Sequence, residues 1–143
     1  MTRDVTSDER VFLLDTTALL AHYRKERGFQ EVQNILEDDS AVVLMSTLSV
    51  AEFARRMLTL GADHDEARQA ALDYAGLADE VVAIDTSISV RAFELGTLTS
   101  ERLPLIDALI AASALSRGAV LVHRDSHFTS IGVQLMAQRF LGA

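Results

Sequence analysis

The sequence contains no cysteine. Disulfides and thiolate-bound zinc are therefore excluded, and the composition suits a reducing compartment. Proline occurs once, at Pro104, and there is no low-complexity stretch, linker or repeat of fixed period. Long apolar runs are missing too. Those that begin are broken by Asp15, Glu52 and Asp107, so none reaches the ~20 residues of a membrane span. The first ten residues are polar and charged, without the apolar segment of a secretory signal. A soluble cytoplasmic protein with no membrane contact is the expectation. Positive charge is scarce as well: 13 Lys and Arg stand against 21 Asp and Glu, a net charge of −8. A broad nucleic-acid-coating surface is thereby excluded, because phosphate contacts supply most of such affinity. A site that touches a few nucleotides through metal ions and local arginines is not.

What is present is the composition of a folded domain, with 49% hydrophobic and 24% charged residues. A chain of 143 residues fits one domain over 1–143, with 1–10 as a flexible N-terminal extension. Short apolar or β-branched runs read as strands: Val11 to Leu14, Ala41 to Met45, Val81 to Ile84, Ala119 to Val122, and a last one at Val133 to Met136. Helical patterns lie between them. One is opened by Asp15-Thr16-Thr17 and runs to about Arg24; a second covers Phe29 to Leu36. A third runs from Ser46 to Leu60, with Leu48, Ala51, Arg55 and Leu58 marking one face, and Gly61 stops it. Others span Asp63 to Leu77, Asp85-Thr86 to Leu95, and Pro104 to Arg117. Strands alternating with helices predict a three-layer α/β/α fold around a central, mainly parallel sheet of four to five strands. Ligands of such sheets sit outside the carboxyl ends of the strands.

The informative residues are acids in apolar company. Asp107 stands in Pro104-Leu-Ile-Asp-Ala-Leu-Ile-Ala-Ala-Ser-Ala-Leu115. A carboxylate there carries a desolvation cost, against which a helix dipole alone is a modest return. Asp15 ends an apolar strand, where an N-cap is the plain alternative. Ile84-Asp85-Thr86 repeats that layout, so strand-then-Asp-Thr is weak evidence by itself. Glu52 is flanked by Val50, Ala51, Phe53 and Ala54, although helical glutamates usually face water. Asp125 follows Leu121-Val122, where turn chemistry also favours Asp. Together the four make a coherent set at one sheet edge. Converging carboxylates raise one another's pKa, and a hard divalent cation removes that repulsion. Oxygen ligands favour magnesium or manganese. Such ions assist in-line attack on phosphorus. No Ser/His/Asp or Cys/His pattern offers a covalent alternative.

Four stretches in order then carry a family resemblance: Leu14-Asp15-Thr16-Thr17-Ala18-Leu19-Leu20, Ser46-Thr47-Leu48-Ser49-Val50-Ala51-Glu52-Phe53, Leu105-Ile106-Asp107-Ala108-Leu109-Ile110-Ala111, and Val122-His123-Arg124-Asp125-Ser126-His127-Phe128. The chain resembles the PIN domain family, and within it the VapC-type toxins, from about Phe12 to Met136. The resemblance implies a metal-dependent endoribonuclease, the toxin of a type II toxin–antitoxin system. It implies that Asp15, Glu52, Asp107 and Asp125 are catalytic and bind Mg2+ or Mn2+. Thr16, Thr17 and Ser46 would support the acids or contact phosphate, and Arg124 would contact phosphate. Arg55 and Arg56 are further candidates for steering phosphate. Asp85 matches a helix start outside the acidic site. His123 stands where Thr or Ser is frequent, and His127 where a further acid is frequent, which puts a second metal position in doubt.

The partners implied are an RNA substrate, a small antitoxin protein and a second copy in a homodimer. The apolar residues of the first two helices (Leu19, Leu20, Tyr23, Phe29 and Val32) are the candidate groove for an antitoxin helix, with core packing and a dimer seam as alternatives. Two other functions stay open: a non-catalytic PIN-like RNA-binding or interaction module, and a metal-dependent nuclease with another nucleic-acid substrate. A Gly-rich phosphate loop after the first strand is absent, which disfavours a nucleotide-binding protein.

Overall fold

A computed structural model describes residues 10–142. The expectation of an N-terminal extension over 1–10 therefore falls, Arg10 apart, outside the described residues. The chain alternates throughout. Strand β1 (Val11–Leu14) leads to α1 (Thr16–Tyr23) and α2 (Phe29–Glu37). Strand β2 (Val42–Ser46) leads to α3 (Thr47–Thr59) and α4 (His64–Leu77). Strand β3 (Glu80–Val82) leads to α5 (Thr86–Leu98) and α6 (Leu105–Ser116). Strand β4 (Val120–His123), a 3-10 turn (Ser126–Ser130) and strand β5 (Gln138–Phe140) close the order. The sheet runs β3-β2-β1-β4-β5 and every pairing is parallel.

Strand alternation divides two cores. Phe12, Leu14, Val43, Met45 and Val122 point to one face, where they pack with residues of α1 to α4 such as Leu19, Val32, Phe53, Met57 and Tyr74. Leu13, Leu44, Val82 and Leu121 point to the other, against α5 and α6 through Ile88, Leu95, Ile110 and Ala111. The near-continuous apolar strands of the sequence follow from this two-sided cover. Among the described residues no helix is long and apolar enough to cross a membrane.

Three details differ from expectation. Val133–Met136 is not a strand. Val133 is 82% exposed, and the last strand lies further on, where Gln138 pairs with Leu121 and Phe140 with His123. The sequence 138–140 lacks the apolar run that marks a strand because β5 is an edge strand with exposed residues. The third strand ends at Val82 rather than Ile84. On the α3 face marked by Leu48, Ala51, Arg55 and Leu58, the last three are exposed and Leu48 is half-buried against the second core. Ser49, Phe53 and Met57 are the buried residues. Likewise Leu19, Leu20 and Val32, considered for a partner groove, are core residues.

The topology decides where a ligand belongs. From β1 the sheet steps outward to β2 on one side and to β4 on the other. The crevice between the carboxyl ends of β1 and β4 is therefore the switch point of the sheet. The backbone of Asp15 spans it, donating to Val122 O at 3.1 Å.

Candidate active site

Asp15 is the residue at which β1 becomes α1. Its backbone is extended, and its carboxylate accepts from the Ala18 amide at 3.0 Å and from the Thr17 hydroxyl at 2.7 Å. The cap expected of an Asp in this position is present. Asp85 does the same for α5, accepting from the Ile88 amide at 2.9 Å, but after the edge strand β3 and on an exposed surface. Position in the sheet separates the two. Asp15 is buried, and burial pushes its carboxyl up to about 7. The two hydrogen bonds pull it down, and the charges of Asp125 and Asp107 push it up again.

Asp107 lies in the first turn of α6, which Pro104 starts. Pro104 fits there because the first turn has spare N–H groups. Burial pushes the Asp107 carboxyl to about 6; Asp125 and Glu52 also raise it, and His127 lowers it. The His127 Nδ1 is 3.1 Å from Asp107 Oδ2 and 3.2 Å from Asp125 Oδ1. With both carboxylates ionised the nitrogen carries the proton and donates. Asp107, Asp125 and His127 each offer a ligand atom, and these atoms lie within 4.8 Å of one another. Asp15 and Glu52 are not in that group, but Asp15 is subject to the charges of Asp125 and Asp107, and Asp107 to that of Glu52.

Asp125 is held by its own turn and by a buried histidine. Its carboxylate accepts from the His127 amide at 2.9 Å. Its amide donates to His123 Nδ1 at 3.2 Å. Because that nitrogen accepts, Nε2 carries the hydrogen and donates to Gln138 Oε1 at 2.8 Å. Gln138 then donates to Ile131 O at 3.0 Å. Burial holds the His123 ring below the usual histidine range, so it stays neutral. The ring also packs on Phe128 and Phe140, at 4.9 and 5.5 Å between centroids.

The hydroxyl residues divide by role. Thr17 donates to Asp15 and accepts from the Arg124 amide at 2.8 Å, tying the ends of β1 and β4 together. Thr16 donates to Glu52 and lies 3.0 Å from the Ser49 hydroxyl. Ser46 is buried and caps α3, accepting from the Leu48 amide at 3.1 Å. It supports the helix that carries Glu52. Arg124 reaches Glu26 at 3.2 Å.

The geometry thus gathers Asp15, Asp107 and Asp125 at one mouth of the sheet, with Glu52 beside Asp107. It also gives contacts to the two histidines that the sequence had marked only as departures from the family pattern. His127 touches both Asp107 and Asp125, and an Asp-x-His spacing in a tight turn was the available signal. His123 orients Asp125, and no local pattern announced it. The donor set fits a divalent ion. Carboxylate oxygens with one imidazole are crowded where burial and mutual repulsion disfavour their charge, which is the condition a cation relieves. Magnesium and manganese suit the oxygens.

A profile of the PIN domain matches residues 12–134. No curated protein matches the sequence. Among solved structures, VapBC2 of Rickettsia felis, bound to a DNA fragment from its promoter, is 13% identical with a TM-score of 0.71. The match covers 91% of this chain and 98% of that one. VapBC-1 of nontypeable Haemophilus influenzae is 15% identical with a TM-score of 0.70, covering 93% and 99%. VapC20 of Mycobacterium tuberculosis, described as a toxin that cleaves the sarcin-ricin loop, is 15% identical with a TM-score of 0.67, covering 85% and 95%.

Proposed function

Because the chain belongs to the PIN domain family, we propose that it is a metal-dependent endoribonuclease acting in the cytoplasm as the toxin of a type II toxin–antitoxin pair. The observation that carries this reading is the meeting of Asp107, Asp125 and His127 within 4.8 Å at the carboxyl end of a parallel sheet, with buried Asp15 feeling the charges of both acids and with Asp15 and Asp107 held well above the usual carboxylate range. The fold it shares with VapC20, a toxin described as cleaving the sarcin-ricin loop, supports the substrate class. The VapBC assemblies support a small antitoxin partner.

Asp15, Asp107 and Asp125 would hold Mg2+ or Mn2+, with Glu52 completing the set. Such an ion, when bound, lowers the pKa of a water and offsets charge on the scissile phosphate. The protein's own groups do the positioning. The Thr17 hydroxyl and the Ala18 amide both donate to Oδ1 of Asp15, which fixes the carboxylate and leaves Oδ2 free of those two donors. Thr16 aims Glu52, whose free oxygen is the natural acceptor for a proton from the attacking water. His123 holds the Asp125 backbone, and so the angle at which that carboxylate enters the site. Arg124 contributes positive charge at the rim, where a phosphate arrives. An arginine of an antitoxin would find the same acidic mouth attractive, in keeping with the net charge of −8.

The test is cleavage of single-stranded RNA, transfer RNA and DNA by the parent, Asp15→Asn and Asp107→Asn, with Mn2+, Mg2+ or chelator. The parent should cut RNA only with metal. Each variant should lose about 100-fold or more, since several kcal/mol of charge stabilisation go and each 1.4 kcal/mol is tenfold. Variants that cut as fast as the parent would refute the assignment. A parent whose melting temperature rises with metal but which cuts nothing is a non-catalytic module. Cleavage of DNA in preference to RNA would move the substrate class.

A further inference from the structure

The acids open onto a groove that extends beyond Glu52 along α3. Leu48, Ala51, Glu52, Arg55, Arg56 and Thr59 of α3 face Ile106 of α6 across a cavity of about 420 Å³. Leu48, Ala51 and Ile106 give it an apolar floor, and Arg55, Arg56 and Thr59 give it a polar rim. Ala51 precedes Glu52 and Ile106 precedes Asp107, so the floor adjoins the site directly. On the other side of Arg56 lies a smaller notch of about 220 Å³, lined by Thr17, Leu20, Glu26, Arg56 and Arg124. Thr17 there is the partner of Asp15. Arg56 lines both spaces. The two openings flank the acids, and one guanidinium joins them.

The charges say what belongs there. Phosphates are repelled by a protein of net charge −8 unless local cations receive them. Among the described residues neither Arg55 nor Arg56 has a carboxylate within ion-pair distance, whereas Arg10, Arg24, Arg91, Arg117 and Arg124 each have one. A cavity near 420 Å³ falls within the ~300–1,000 Å³ of small-ligand pockets. Its apolar floor and guanidinium rim match an unstacked base, which packs on apolar or guanidinium planes. The notch is half that size; Glu26 there pairs with Arg124, which leaves Arg56 as the guanidinium that can receive a phosphate.

Resting on the nuclease reading for its orientation, we propose that the groove between α3 and the start of α6 takes one unpaired nucleobase beside the scissile phosphate of single-stranded RNA, and that Arg56 links it to a phosphate in the notch. A base within a duplex is stacked and paired, so it cannot enter. Selectivity for unpaired segments therefore resides in α3, apart from the acids.

The experiment uses the full chain carrying Asp107→Asn, and in parallel the unmutated chain in chelator, so that cleavage is blocked in two ways. Fluorescence anisotropy reads binding of a dye-labelled RNA of about ten nucleotides, a length comparable to single-strand site sizes of ~4–16. The same RNA annealed to its complement is the second ligand. Single-stranded RNA should bind at least about tenfold tighter than the duplex. Arg56→Ala should weaken single-strand binding about tenfold and flatten the slope of log affinity against log salt by about 0.7, one phosphate contact on a single strand. Arg56→Lys should restore the slope. Ile106→Ala should weaken intact RNA but leave an abasic oligonucleotide unchanged. Arg91→Ala, on the outer face of α5, should change neither ligand. Equal affinity for duplex and single strand, or Arg56→Ala and Ile106→Ala binding like the parent, would overturn the groove. If those two substitutions, made in the otherwise unmutated chain and assayed with metal, bind and cleave RNA no differently from the parent while Asp15→Asn abolishes cleavage, the groove fails and the nuclease reading stands. If they lose binding but the parent never cleaves, the groove stands and the nuclease reading fails.

Discussion

Asp15→Asn should make the metal-free protein more stable at alkaline pH, although it removes a residue proposed for catalysis. The folded-state pKa of Asp15 is about 7, raised chiefly by burial from 3.8. Between those values the folded chain keeps a proton that the unfolded chain has released, so stability falls as pH rises through the window and levels off above 7. From pH 5.5 to pH 8 the loss covers about 1.5 pKa units, or about 2 kcal/mol. For a domain of this size that corresponds to roughly 6 °C in melting temperature. His123 works in the opposite sense. Its folded pKa is depressed by burial, so it favours the fold above the ordinary histidine range and costs stability as pH falls through it. The total pH profile thus mixes terms, and the difference between parent and Asp15→Asn isolates one. Asn keeps the cap, since its amide oxygen still accepts from the Ala18 amide. The assay is thermal melting of both proteins in chelator at pH 5.5 and pH 8. The variant should gain about 6 °C relative to the parent between the two conditions. Adding Mn2+ at pH 8 should stabilise the parent and leave the variant little changed, because a bound ion adds RT ln(1 + [L]/Kd) only where a site exists. A parent and variant with parallel pH profiles would show that Asp15 is ionised without penalty, and the electrostatic argument for the site would fall.

Two further outcomes follow from the supports of the acids. Thr17→Val removes the hydroxyl shared by Asp15 and the Arg124 amide. It should cost ~1–3 kcal/mol by denaturant unfolding, since it strands a buried donor, and should lower RNA cleavage; Thr17→Ser should restore both, and equal stability of Val and Ser would refute the bridge. His123→Ala removes the acceptor for the Asp125 amide and the stacking on Phe128. It should accelerate hydrogen exchange at that amide and weaken Mn2+ binding about 10–100-fold, the range for residues that orient metal ligands; unchanged metal affinity would reduce His123 to packing.

Much of the fold was legible because the sheet is buried on both faces. Runs such as Phe12-Leu13-Leu14 and Val43-Leu44-Met45 need no alternation when each face meets helices, and they announce strands by length and β-branching. The edges were less legible for the same reason. Gln138-Arg139-Phe140 pairs with β4 through its backbone, with Gln138 half-buried and Arg139 and Phe140 exposed, so hydropathy carries no trace of it. Val133 to Met136, more apolar, drew the strand expectation instead, although Leu135 and Met136 serve as plugs of a turn rather than rungs of a ladder. On α3 the face marked by Leu48 and Leu58 in the sequence is not the one the helix packs on. The helix buries Phe53 and Met57, and small Ser49 is what lets it approach Thr16. Residue size at a contact, which periodicity does not weigh, decided the orientation.

The acids were legible for the opposite reason: each violates its surroundings. Asp107 in an apolar helix and Asp15 at the end of an apolar strand conflict with local hydropathy, and such conflicts collect at functional sites. The same criterion cannot find residues that agree with their surroundings. His123 is buried, neutral and fully hydrogen-bonded, so nothing in its neighbourhood is out of place until the Asp125 amide is seen resting on it. The two kinds of residue are nonetheless parts of one device. Burial alone would protonate Asp15 near neutral pH and leave a poor ligand, while free rotation of the Asp125 turn would leave its carboxylate without a fixed direction. Thr17 and the Ala18 amide oppose the first effect, and the His123–Gln138–Ile131 chain opposes the second. The charges are held at the edge of ionisation and their directions are fixed beforehand. A cation arriving there would then displace protons rather than reorganise the fold, and that is the arrangement in which an ion's charge acts most fully on a bound phosphate.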